Sequence, residues 1–139
     1  MNEKQLSCNI VREITNIQPE KRKQLFHISN ERNSKEQAFE AKAIGIINGV
    51  SDFLYFELNT PLIGMEIKVT GSFHKIEHII SQIEWGETLE QQGGVWRLIT
   101  TVEDAVSLIV HKRHDVGKTT QMMREMIAKN GNKKTIKIP

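Results

Sequence analysis

The chain has 139 residues, 38 % of them hydrophobic and 26 % charged, with a formal net charge of +2. That is the composition of a chain that buries a core, not of a disordered one. A single cysteine, Cys8, excludes an intrachain disulfide and a thiolate zinc cluster. No apolar run reaches the length of a membrane span, and the opening MNEKQLSCNIVREI lacks the regions of a signal peptide, so a cytoplasmic protein away from membranes is expected.

The first predicted elements are two short alternations, Leu6 to Thr15 and Lys23 to Asn30, read as a strand pair turning at Gln18-Pro19-Glu20. Ser34-Lys35-Glu36-Gln37 has capping-box spacing and predicts a helix from about Lys35 that stops between Lys42 and Gly45. Asn48-Gly49 between apolar runs is a hairpin signal that competes with continuation of that helix through Val50. Phe53 to Leu58 and Met65 to Thr70 are expected to be strands, joined through Thr60-Pro61 and Gly64.

Phe73, Ile76, Ile79, Ile80 and Ile83 fall on one helical face, with Ser72 as cap and Gly86 placed to end the helix. Val95 to Ile99 has strand composition, and Thr101-Val102-Glu103-Asp104 starts a further helix with a hydroxyl cap and two carboxylates in its first turn. His114-Asp115 breaks that helix and starts a last one, with Val116, Thr119, Met122, Met123, Met126 and Ile127 inward. Lys133 to Ile138 suits a final edge strand. The expected architecture is α+β: one domain over residues 1–139, a mostly antiparallel or mixed sheet of about five to six strands, and two to three helices grouped against it. Residues 131–139 are its basic C-terminal edge strand or tail.

Charge is unevenly spread. From His111 to Pro139 there are eight Lys and Arg residues against two acidic ones, so the first 110 residues carry a net negative charge. An acidic body with a basic end orients on an anionic partner. Gly117-Lys118-Thr119-Thr120 resembles the end of a phosphate-binding loop, but Lys112 stands where its first glycine is needed. A helix start with Lys112, Arg113 and Lys118 nearby still suits a phosphate. Trp96 and Arg97 offer an aromatic face and a guanidinium, as do Tyr55 and Phe53 an aromatic one, although core packing explains these rings as well.

His74-Lys75-Ile76-Glu77-His78 has the His-x-x-Glu-His spacing of a zinc-peptidase motif, in which two histidines one helical turn apart hold the metal. Met122, Met123 and Met126 suit an adaptable interface or a core. Together these residues favour a non-enzymatic binding protein for a phosphate-bearing ligand, either a pocketed nucleotide signal or nucleic acid. Trp96, Arg97, Lys112, Arg113, Lys118 and Arg124 are the ligand contacts, a homo-oligomer is allowed for, and no cofactor is implied. The alternatives are a protein-interaction module or inhibitor acting through the methionine-rich last helix, and a metal-dependent hydrolase using His74, Glu77 and His78.

Overall fold

The computed structural model describes residues 1–28, 34–45, 49–116, 118–130 and 132–139, with the side chains of Ala38, Ala41 and Lys118 excepted. The predicted hairpin at Asn48-Gly49 lies partly outside these residues. Helix α1 spans Glu3–Ile17, where a strand was expected over Leu6 to Thr15. Residues four apart share a face in a strand and in a helix alike, so Leu6, Ile10 and Ile14 satisfied both periods. The intervening Cys8 is exposed, as only the helix requires. A cap the alternation concealed starts α1: Asn2 Oδ1 accepts the Gln5 N–H at 2.8 Å while Gln5 Oε1 accepts the Asn2 N–H at 2.9 Å.

After a 3-10 turn at Pro19–Lys23, strand β1 covers Leu25–His27. Helix α2, Lys35–Ala43, starts where Ser34 accepts the Gln37 N–H and stops within the expected range. Strands β2 (Phe53–Tyr55) and β3 (Ile63–Ile67) follow, then β4 (Phe73–Lys75) and helix α3 (Ile76–Gln91). Strand β5 is Val95–Ile99, helix α4 Val102–Ile109, helix α5 Lys118–Asn130 and strand β6 Thr135–Lys137. The fold is α+β, with six strands in two sheets among the described residues.

The main sheet has the order β1-β2-β3-β5: the first three strands are antiparallel neighbours, and β5 runs parallel to β3. A parallel pair needs a crossover, and α3 supplies it. Alternation along β3 and β5 sends Ile63, Met65, Ile67, Val95 and Ile99 to one face, where they pack with Leu6, Ile10 and Ile14 of α1 and Leu108 and Ile109 of α4. Trp96 and Leu98 point to the other face, beneath Ile79 and Ile83 of α3 and Met123 of α5. Helices therefore cover both faces of β3 and β5. On β3, Gly64, Glu66 and Lys68 follow the same period-2 rule onto the α3 side.

Two expectations about α3 are corrected. Phe73 belongs to β4 instead of the helix, which begins after Lys75, and Gly86 lies inside the helix instead of ending it. Gly86 is there because a Cβ would overlap the Trp96 ring: the helix comes down directly on the indole. Met122, expected inward, is 46 % exposed, whereas Met123 is fully buried. No helix among the described residues is long and apolar enough to cross a membrane.

Replacing Gly86 with Ala isolates this contact. Helix propensity alone gains about 1 kcal/mol, but overpacking against Trp96 costs about 1–3 kcal/mol. Chemical denaturation of Gly86→Ala is expected to give a net loss of stability; a gain contradicts the direct helix–indole contact.

Candidate functional site

Charged residues concentrate where β2 begins and β3 ends. Asp52 immediately precedes β2, and its Oδ2 accepts the Ile67 N–H at 2.8 Å, which ties the two strands together at that end. Glu66 lies within β3, 1 % exposed, in a strand otherwise made of Ile, Gly and Met. Its Oε1 accepts from Lys68 Nζ at 3.1 Å and from Gln82 Nε2 of α3 at 2.9 Å. Lys68, itself buried, also stands 3.7 Å from Glu3 Oε1 at the start of α1. Glu3 in turn is 3.6 Å from His74 Nε2. Carboxylates of α1 and β3 thus contact one ammonium, and Asp52, just before β2, adds its field.

The electrostatics of this group are governed first by burial. Burial pushes the Glu66 carboxyl well above its ordinary value near 4.5, and the neighbouring Asp52 pushes the same way, against the pull of Lys68. Glu3 is raised as well, by burial first, with Lys68 opposing and Asp52 adding. Burial opposes the charge on Lys68, yet Glu66, Glu3 and Asp52 together outweigh it and raise its pKa. Among the described residues, Glu66 Oε2, Gln82 Oε1 and Ser51 Oγ are buried without a hydrogen-bond partner, and Glu3 Oε1 has only its two longer ion pairs. Buried polar atoms normally find partners, which an ordered water supplies as readily as a neighbouring side chain.

Among the described residues no group of three or more His, Cys, Asp or Glu side chains is placed so as to hold a metal ion. Here the carboxylates close in on Lys68 instead. A cation drawn here by rearrangement of these side chains would meet oxygen donors, which suit a hard ion such as Mg²⁺, Mn²⁺ or Ca²⁺ and not zinc. Glu3, Asp52 and Glu66 are the residues that would hold it.

The residues expected to bind a ligand lie elsewhere. Trp96 is fully buried under α3, so its ring is core and has no face for stacking. Arg97 donates to the carbonyls of Val116 at 2.7 Å, Trp96 at 2.6 Å and His114 at 2.5 Å, stapling the α4–α5 loop to β5. Glu90 of α3 takes both Arg97, at 3.3 Å, and Arg124, at 3.0 Å. Lys112 pairs at 2.5 Å with Glu57, which also holds buried Lys21 at 2.7 Å and accepts from Tyr55. These bonds, led by the one from Lys112, hold Glu57 down to about 2. Arg113 is exposed, and the Lys118 side chain lies outside the described residues.

His74, Glu77 and His78 do not share a helix face: His74 is on β4, and only Glu77 and His78 are on α3. Ser72 Oγ donates to Val69 O at 2.6 Å, so the 2.9 Å contact from His74 Nε2 makes the imidazole the donor to that hydroxyl. Burial, then Lys68 and His78, lowers the His74 pKa. Sequence reading missed Asp52, Glu66 and Lys68, although their signal was present. Glu66 and Lys68 alternate on one side of an apolar strand, where charge is rare unless it is used. The chain matches no protein-family model, no curated protein and no solved structure at a significant level.

The raised pKa of Glu66 fixes the sign of its effect on stability. The folded state binds its proton more tightly than the unfolded chain, so stability falls as pH rises from about 4.5 through the folded value. Glutamine mimics the protonated acid. Glu66→Gln is therefore expected to melt above the wild type at neutral pH, with the difference shrinking toward pH 4.5. Lys68→Met, which strips the carboxylates of their counter-ion, is expected to lose about 3–5 kcal/mol. A destabilised Glu66→Gln at neutral pH contradicts this assignment.

Proposed function

We propose that this chain is a divalent-cation-dependent hydrolase of phosphodiester bonds in nucleic acid, with Glu3, Asp52, Glu66 and Lys68 as its working residues. The observation that carries the reading is the buried Glu66–Lys68 pair, whose second carboxylate oxygen has no donor, set beside two further carboxylates. Folding charged groups into a strand interior costs stability, and a functional site is where such a cost is kept.

Charge supports the choice of substrate. With three carboxylates against one ammonium the cluster repels a phosphate, so a phosphate enters only as a further ligand of a bound cation. Lysines suited to a polyanion lie in a different segment, Lys133, Lys134 and Lys137, whose side chains are exposed. A cation held by Glu3, Asp52 and Glu66 would neutralise charge at the phosphoryl oxygens and lower the pKa of water. Lys68, now paired with Glu66, would stabilise the charge that builds on the same oxygens. Asp52 is held by the Ile67 N–H, and Glu66 by Gln82, so both carboxylates are oriented in advance. In the reaction a water oxygen bonds to phosphorus, the ester P–O bond breaks, and the departing oxygen takes a proton.

The phosphate-bearing ligand expected from the sequence is retained in this reading, while the protein becomes an enzyme and its site moves from residues 96–124 to the β2–β3 end of the sheet. The test is cleavage of labelled single-stranded and duplex DNA and RNA with Mg²⁺ or Mn²⁺. Cleavage is expected to stop with EDTA and to fall by about 100-fold or more in Asp52→Asn and Glu66→Gln, while Arg113→Ala leaves it unchanged. Cation-independent cleavage, or full activity in both carboxamide variants, overturns the reading.

A further inference from the structure

Strands β4 and β6 form a two-stranded antiparallel ribbon separate from the main sheet, with Phe73 opposite Lys137, His74 opposite Ile136, and Lys75 opposite Thr135. Period-2 alternation divides it cleanly. His74 and Ile136 face inward, Ile136 packing among Ile76, Ile79 and Ile83 of α3, while Phe73, Lys75, Thr135 and Lys137 are all exposed. The inward His74 reaches Ser72 Oγ at 2.9 Å and Glu3 Oε1 at 3.6 Å. The ribbon therefore backs directly onto the carboxylate–lysine cluster, and it begins five residues after Lys68.

Its outer face is unusual. Phe73 leaves 68 % of its surface in water, and its neighbour across the ribbon, Lys137, stands with Nζ 5.8 Å from the ring centroid. Lys75 follows two residues along the same face, about 7 Å away by strand geometry. Lys133 and Lys134 lead into β6, both exposed, and residues 132–139 contain no acid. An exposed aromatic ring flanked by ammonium groups is complementary to one kind of polymer: bases stack on the ring while phosphates meet the cations.

We infer that the outer face of the β4–β6 ribbon holds an unpaired nucleic-acid strand beside the catalytic cluster, with Phe73 stacking on a base and Lys75 and Lys137 on adjacent phosphates. A phenyl ring stacks only on a base face that is not already stacked in a duplex, so the ribbon selects single strands, flaps or frayed ends over continuous duplex. The inference rests on the proposed function for what becomes of the strand, but not for its binding.

Fluorescence anisotropy of labelled oligothymidylate with the full-length protein in EDTA separates the two, because no turnover occurs there. Phe73→Ala is expected to weaken binding about tenfold, within the range of one lost base stack, and Phe73→Trp to keep it or tighten it. Lys75→Ala and Lys137→Ala are each expected to lower the slope of log affinity against log salt by about 0.7. A continuous duplex of the same length is expected to bind more weakly and to ignore Phe73→Ala. Absence of oligonucleotide binding, equal binding by Phe73→Ala, or duplex binding as tight as single-strand binding overturns the inference. If binding depends on Phe73 but no cation-dependent cleavage is found, the catalytic reading falls and this one stands.

Discussion

The structure turns on one carboxylate kept in the wrong solvent. Glu66 lies in the interior of β3 with 1 % of its surface exposed, and its only charged neighbour of opposite sign is Lys68. Burial costs the ionised form more than Lys68 returns, as the raised pKa records. The surrounding elements are what hold it there. The antiparallel β2–β3 register brings Asp52 alongside, the parallel β3–β5 pair fixes the end of the strand through the Lys68 N–H to Ile99 carbonyl bond, and α3 lays Gln82 across the top. Apolar packing on both faces of β3 and β5 provides the stability against which this charge is held.

The two ends of the sheet handle charge in opposite ways. Where β2 ends, Glu57 is fully engaged by Lys21, Tyr55 and Lys112, and its pKa is held near 2. Its bonds join the Pro19–Lys23 turn to the loop after α4, and the group is closed on itself. Where β2 begins, the carboxylates outnumber the ammonium, two pKa values are raised, and buried oxygens have no donor among the described residues. The first arrangement is that of a structural tie. In the proposed reading the second is completed by an added cation, at the end of the strands where Glu66 and Lys68 are buried. Arg97 and Arg124 on Glu90 follow the first pattern, so these two and Lys112 act as internal fastenings.

Much of the fold was legible because propensity, period and caps agreed. Val95 to Ile99, the Thr101 cap and the Ser34 cap were read from residues whose local chemistry has one outcome. Leu6 to Thr15 failed because a four-residue spacing fits strand and helix alike, and the deciding residue, Cys8, suits either environment. Gly86 misled because a glycine at a helix end and a glycine under an indole look the same in sequence. The candidate site was only partly legible, for a further reason. Glu3, Asp52, Glu66 and Gln82 are scattered over 80 positions, and only the β2–β3 register and the α3 crossover bring them together. Lysines and arginines near a glycine drew attention to residues 112–124, but their partners, Glu57 and Glu90, are equally distant in sequence.

The central claim is that Glu66, its pKa raised by burial, is held for a cation that is not part of the polypeptide. Titration calorimetry with Mn²⁺ in buffers of different ionisation enthalpy tests it most directly, since metal ligands must shed their protons on binding. The account requires stoichiometric binding by the wild type with proton release at mildly acidic pH, and loss of both in Glu66→Gln. Absence of binding, or binding without proton release that survives Glu66→Gln, contradicts it.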